Sequence, residues 1–119
     1  MMLSEAQALD IFGALSQPQR LQMVRLLVVA GPEGMAAGAI GAAVGASASN
    51  ASFHLAHLER AGLVASRRVA RSIIYAADFA ALSGVVSFLM EDCCGGRPEI
   101  CRPVAAVAAQ CDCTPVAAK

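Results

Sequence analysis

Ser47-Ala48-Ser49-Asn50-Ala51-Ser52-Phe53-His54-Leu55, continued by Leu58 and by Arg60-Ala61-Gly62-Leu63-Val64, is the stretch that decides the fold. The Ser47 hydroxyl can accept a bond from an otherwise unpaired amide of a first helical turn, so a helix opens there. Gly62 closes it. On a helical wheel Ala51, Leu55 and Leu58 share one face, which should pack on the rest of the domain. Ser49, Phe53 and Arg60 point the opposite way, with Asn50, Ser52 and His57 flanking them. His54 reads as a hydrogen-bonded, partly buried histidine. Upstream, Ala37 to Val44 predicts a short helix ending at Gly45, against the cost of about 1 kcal/mol that Gly38 and Gly41 each impose inside a helix. The break at Gly45-Ala46 between two helices is the spacing of a helix-turn-helix.

Working outward, Ser4 and Gln7 form a capping-box pattern that opens a helix to about Leu15, with Ala8, Leu9, Phe12 and Leu15 as its apolar positions. A second helix is expected from about Ser16, with Pro18 in its first turn, running through Leu21, Val24, Leu27 and Val28 to Ala30. Gly31-Pro32 stops it. After Gly62 the pattern changes: Leu63 to Arg68 and Ser72 to Ala76 read as two short strands joined at Val69-Ala70-Arg71. Asp78 then caps a fifth helix carrying Phe79, Leu82, Val85, Val86, Leu89 and Met90. The expected fold is mainly α with a β-hairpin wing: a winged helix-turn-helix of about five helices. The division is a folded domain over residues 1–92 and a cysteine-containing tail over 93–119.

A hydrophobic fraction of 57% raises the question of a membrane. Much of it is alanine, however, and the apolar stretches from Leu26 to Ala30 and from Met35 to Val44 are short or broken by glycine. A bilayer span needs roughly 20 strongly apolar residues. Glu5 and Asp10 interrupt the place where a signal segment would lie, so the chain is expected to be soluble and cytoplasmic. Net charge is zero, but its distribution is uneven. Between Gly45 and Ala77 the arginines Arg60, Arg67, Arg68 and Arg71 face the single acid Glu59. A local basic patch can bind phosphate where a global average cannot.

A helix beginning with small polar residues can enter the major groove of DNA, its free amides and dipole meeting phosphate. Ser47, Ser49, Asn50, Ser52, Phe53 and His57 are therefore the candidate contacts, with Asn50 the best reader because an amide can pair bidentately with adenine. Arg67, Arg68 and Arg71 would meet the backbone or minor groove from the wing. The competing account is an amphipathic helix with a solvated face. Phe53 does not fit that account, since an exposed aromatic on a polar face lacks a structural reason.

The run Ala14-Leu15-Ser16-Gln17-Pro18-Gln19-Arg20-Leu21, the stretch quoted above and the hairpin ending in Arg71 and Tyr75 together resemble the ArsR/SmtB family of metalloregulatory repressors. The resemblance covers roughly residues 3 to 92. It implies a homodimer built mainly from the first and last helices, and release from double-stranded operator DNA when an inducer binds. One departure is Ala70, where the family usually carries glycine at the wing turn.

All five cysteines fall after residue 92, at Cys93, Cys94, Cys101, Cys111 and Cys113. In a reducing cytoplasm clustered thiols point to metal binding or redox chemistry. Leu82, Val86, Leu89 and Cys93 are spaced by four, three and four, so Cys93 continues the apolar stripe of the fifth helix. Gly95, Gly96 and Pro98 let the chain bend so that Cys101 can approach Cys93 and Cys94. Three thiolates suit a soft ion that keeps a lone pair, as trivalent arsenic or antimony does, whereas zinc usually takes four ligands. The two histidines, His54 and His57, both lie on the fourth helix, against a mixed zinc site. The resemblance adds to this. The third helix lacks the cysteines of the cadmium and lead sensors, and the fifth lacks the histidine and acid ligands of the zinc sensors. Glu91-Asp92-Cys93-Cys94 with Cys101 looks like arsenic-responsive members whose ligands lie at the end of the fifth helix. Some relatives that respond to methylated trivalent arsenic use two thiols there, which leaves a two-thiol site for an organoarsenical as a second option. A vicinal disulfide, a redox-sensing repressor of the same fold, and incidental tail cysteines are the alternatives, with Cys111 and Cys113 read as incidental. A thiol enzyme would need an anion-cradling loop around its cysteine; Cys93 has none, so no enzymatic activity is expected.

Overall fold

The computed structural model describes residues 3–90. The elements are α1 (Glu5–Leu15), α2 (Pro18–Ala30), a 3-10 turn (Gly31–Glu33), β1 (Met35–Ala36), α3 (Ala37–Val44), α4 (Ala48–Ala61), β2 (Val64–Val69), β3 (Ser72–Ala77) and α5 (Phe79–Leu89). Those up to Val86 lie in one compact unit, Met1–Val86; of the second unit, Ser87–Lys119, only the end of α5 is described. This is a winged helix-turn-helix.

The helix ends follow from their capping residues. The Gln7 amide donates to Ser4 Oγ at 3.1 Å while the Ser4 amide donates to Gln7 Oε1 at 2.8 Å, the reciprocal pair that opens α1. The second helix starts later than the sequence suggested. Ser16 belongs to the end of α1, its hydroxyl donating to the Gly13 carbonyl, and Gln17 caps α2 by accepting from the Arg20 amide at 2.8 Å. Pro18 is then the first helical residue, where the missing N–H costs nothing. Ser47 accepts from the Asn50 amide to open α4, and Asp78 Oδ1 accepts from the Ala81 amide at 3.0 Å to open α5. Between α3 and α4, Gly45 is left-handed at φ +71°, a conformation in which a β-carbon would be strained.

Ile11, Met23, Leu27, Ile40, Leu55, Leu58 and Leu63 are fully enclosed, drawn from α1, α2, α3, α4 and the start of the wing. Burying each is worth about 1.5–3 kcal/mol, so the four helices and the wing base share one core. Alanines complete it at 8, 14 and 51. Gly41 is buried because α3 and α4 cross there: a β-carbon would lie 3.1 Å from Ala51 Cβ. A residue that costs helix propensity thus permits the close crossing.

The apolar positions of α1 and α5 divide between inward and outward faces. On α1 the inward residues are Ala8, Ile11 and Ala14, whereas Leu9 (61% exposed) and Phe12 face out. On α5 the inward residues are Ala81, Gly84 and Val85, with Phe79, Val86 and Leu89 exposed.

The sheet has three strands in the order β1-β3-β2, not the two of a bare hairpin. β1 pairs antiparallel with β3 through Met35 opposite Tyr75 and Ala36 opposite Ile74. β2 and β3 pair from Val64 opposite Ala77 to Val69 opposite Ser72, so the turn holds two residues, Ala70 and Arg71, rather than three. Ala70 has φ +56°, the first-position conformation that a two-residue hairpin normally gives to glycine. Gly34, at φ +73°, leads into β1; a β-carbon there would fall 2.3 Å from the Tyr75 carbonyl oxygen.

Candidate nucleic-acid interface

α4 divides cleanly between its two faces. Ala51, His54, Leu55 and Leu58 are buried, while Ser49, Asn50, Ser52, Phe53, Glu59 and Arg60 are exposed. Ser47, Ser49, Asn50 and Ser52 therefore stand together at the outward N-terminal half of the helix. There the amides of the first turn and the positive end of the helix dipole also face out. Phe53, 61% exposed, is the large apolar side chain that α4 turns to solvent. Leaving most of a phenylalanine in water forfeits much of the 1.5–3 kcal/mol its burial would give.

Behind this face lies a polar contact that the sequence does not announce. Arg20 Nε donates to the Ala14 carbonyl at 2.7 Å, and Arg20 Nη1 lies 3.3 Å from His54 Nδ1. A guanidinium only donates, so Nδ1 is the acceptor and the ring proton sits on Nε2. His54 is 9% exposed, as a hydrogen-bonded interior histidine should be. Its ring meets Phe53 edge-on, with centroids 5.6 Å apart and planes at 63°. Arg20, on α2, thus ties the end of α1 to the middle of α4, with His54 lying 34 residues beyond it along the chain.

His57 lies one turn beyond Phe53 and, with Asp10, Arg60 and Ala61, lines a polar recess of about 250 Å³. Its pKa is lowered by desolvation first, then by the charges of Arg20 and Arg60 and by His54. In the free protein these effects hold the ring toward its neutral form.

The wing arginines Arg67, Arg68 and Arg71 are all exposed. Arg67 is also held to the protein, Nη2 donating to the Glu33 carbonyl at 2.8 Å. Ser66, on the same side of β2 as Arg68, donates to Glu59 Oε2 at 2.8 Å and links the wing to α4. The bond fixes the Glu59 carboxylate beside the wing without neutralising its charge. Burial first and then the Glu59 charge raise the Tyr75 pKa, so its phenol stays protonated.

Among the described residues, no group of three or more His, Cys, Asp or Glu could hold a metal ion, and no helix is long and apolar enough to cross a membrane. Cys93, Cys94, Cys101, Cys111 and Cys113 lie outside the described residues.

Comparison with known proteins bears on the same segments. A helix-turn-helix domain family matches residues 15–67, which run from the end of α1 into β2. The HTH-type transcriptional regulator YgaV of Escherichia coli is 34% identical over 91 residues, covering 76% of this chain and 90% of that protein. The homodimeric winged helix-turn-helix DNA-binding domain Mb0332 of Mycobacterium bovis, described as a possible ArsR-family regulator, is 30% identical. It covers 73% of this chain and 81% of its own, with a TM-score of 0.58. A possible transcriptional regulator for arsenical resistance is 27% identical over 89% of this chain and 98% of its own, at a TM-score of 0.60.

Proposed function

We propose, starting from a chain that belongs to the winged helix-turn-helix transcriptional regulators of the ArsR family, that it is a homodimeric repressor released from operator DNA when trivalent arsenic binds Cys93, Cys94 and Cys101. The observation that carries the DNA-binding part is the outward N-terminal half of α4, with Ser47, Ser49, Asn50, Ser52 and Phe53 displayed above a filled core. That half enters the major groove, where Asn50 pairs with a base edge. Arg68 and Arg71 hold phosphate from the wing, with Arg67 bracing the wing against Glu33.

Dimerisation is supported by the apolar side chains that α1 and α5 leave exposed: Leu9 and Phe12 on one, Phe79, Val86 and Leu89 on the other. Large apolar side chains left in water suit an interface with a second copy, and the Mycobacterium bovis domain is homodimeric. Two copies set two recognition helices about one DNA turn apart.

The inducer rests on the donor set. Three thiolates near the end of the last helix suit a soft trivalent ion better than zinc or calcium, and a relative is described as a regulator for arsenical resistance. Arsenite is the first choice, with antimonite or a methylated trivalent arsenical as alternatives. The tail over 93–119 is the inducer segment, acting in the reducing cytoplasm. A coupling of about 1–3 kcal/mol between this segment and the DNA face is enough to empty an operator.

The test is fluorescence anisotropy of full-length protein on duplex from its own promoter, titrated with arsenite, antimonite and methylarsenite. Release by arsenite that disappears in Cys93→Ser and Cys101→Ser supports the reading; release that persists in both overturns the ligand assignment. Peroxide-driven, reductant-reversed release without any arsenic response replaces it with the redox-sensing repressor.

A further inference from the structure

We infer that Phe53 reads the C5 methyl group of a thymine, so that each half-site of the operator carries a T·A pair at the step its ring faces. This rests on the DNA-binding reading above and adds the chemical identity of one base contact. Phe53 is 61% exposed on the same outward face as Ser49 and Asn50. The inward face of α4 is already filled by Ala51, Leu55 and Leu58, so the ring has no place in the core. Its contact with His54 at 5.6 Å and 63° steadies it, and His54 is itself fixed by Arg20.

The ring offers no donor or acceptor, so it cannot read the oxygen and nitrogen pattern of the base edges. The apolar group that unmodified base pairs display in the major groove is the thymine methyl, and phenylalanine is among the side chains that contact it. Ser49, Asn50 and Ser52 are left to the polar edges. The assignment therefore divides labour on one helix face. An aromatic that is a liability in the free protein becomes buried surface in the complex.

The experiment uses the full chain. Binding sites are first selected from random duplex DNA. Each enriched thymine is then replaced by deoxyuridine, which removes the methyl and leaves the pairing edge unchanged, and affinity is read by anisotropy. At one symmetric pair of positions, uridine should weaken wild-type binding roughly fourfold per half-site and about fifteenfold for both, the worth of one buried carbon at each. Phe53→Ala and Phe53→Ser should bind the two duplexes equally, while Phe53→Leu keeps part of the preference. Wild-type protein indifferent to uridine at every position overturns the inference, and so does discrimination that survives Phe53→Ala. Failure to enrich any duplex removes the DNA-binding reading itself, and this inference with it.

Discussion

Replacing Arg20 by methionine keeps an apolar stem of similar length and deletes the guanidinium. Two interactions go with it: the 2.7 Å bond from Nε to the Ala14 carbonyl, and the 3.3 Å contact from Nη1 to His54 Nδ1. A hydrogen bond from a charged donor contributes about 1.5–3 kcal/mol, and both here are only part-buried. The lower half of that range applies to each, giving a loss of about 3–4.5 kcal/mol in total. Part of this is the cost of leaving the His54 ring nitrogen unpaired at 9% exposure. His54→Leu removes that orphan, and replacing both partners by apolar groups can be nearly neutral. The double variant Arg20→Met with His54→Leu should therefore be more stable than the sum of the singles by about 1 kcal/mol. Urea unfolding followed by circular dichroism, at one fixed protein concentration because a dimer's stability depends on it, measures all four proteins. With a slope of about 1–3 kcal/mol/M, the single Arg20 variant should lose roughly 1–4.5 M in midpoint. A loss under 0.5 kcal/mol, or strict additivity in the cycle, would refute the tie between α1 and α4.

Three further outcomes are expected. Ala70→Gly should stabilise the protein by up to about 1 kcal/mol, since a left-handed non-glycine costs roughly 1–2 kcal/mol and glycine returns part of that as unfolded-state entropy; the melting temperature should rise by a few degrees. For His57 the folded pKa is lowered, so the unfolded chain takes up a proton at higher pH. The stability tied to the neutral ring is present above the ordinary imidazole value of about 6.5 and lost as pH falls through the folded value. An NMR titration should place its midpoint below that value, and nearer to it in Arg20→Met. Arg68→Ala should lower the salt dependence of DNA binding by about one phosphate contact per protomer, with Arg67→Ala lowering it less because Arg67 is held to the Glu33 carbonyl; anisotropy across a salt series compares them.

Much of this was legible in the residues because local chemistry fixed it. Ser4 with Gln7, Ser47, Gly62 and Asp78 each mark an end through bonds reaching only three or four positions away, and a reader of the sequence can see both partners. The inward trio Ala51, Leu55 and Leu58 was readable for the same reason. α1 was not, because it carries two apolar faces. In an alanine-rich chain the tight interior takes Ala8 and Ala14 and leaves the larger Leu9 and Phe12 outside, so residue size misleads about which face is the core. Two-residue β1 has no periodicity to detect; its signal was Gly34, whose constraint comes from Tyr75 far along the chain. The burial of His54 was foreseeable, but its partner was not, because Arg20 lies on another helix and only the folded chain brings them together.

The short strand β1 has a mechanical consequence. It stitches β3 to the segment entering α3, while Arg67 clamps the hairpin to Glu33 and Ser66 clamps it to Glu59 on α4. Wing and recognition helix therefore travel as one stiff reading head whose two prongs keep their separation. In the proposed dimeric repressor, an inducer would have little to gain by bending such a head. It would act by changing the pitch or distance between the heads of the two copies, as one resets a pair of callipers at the joint rather than at the tips.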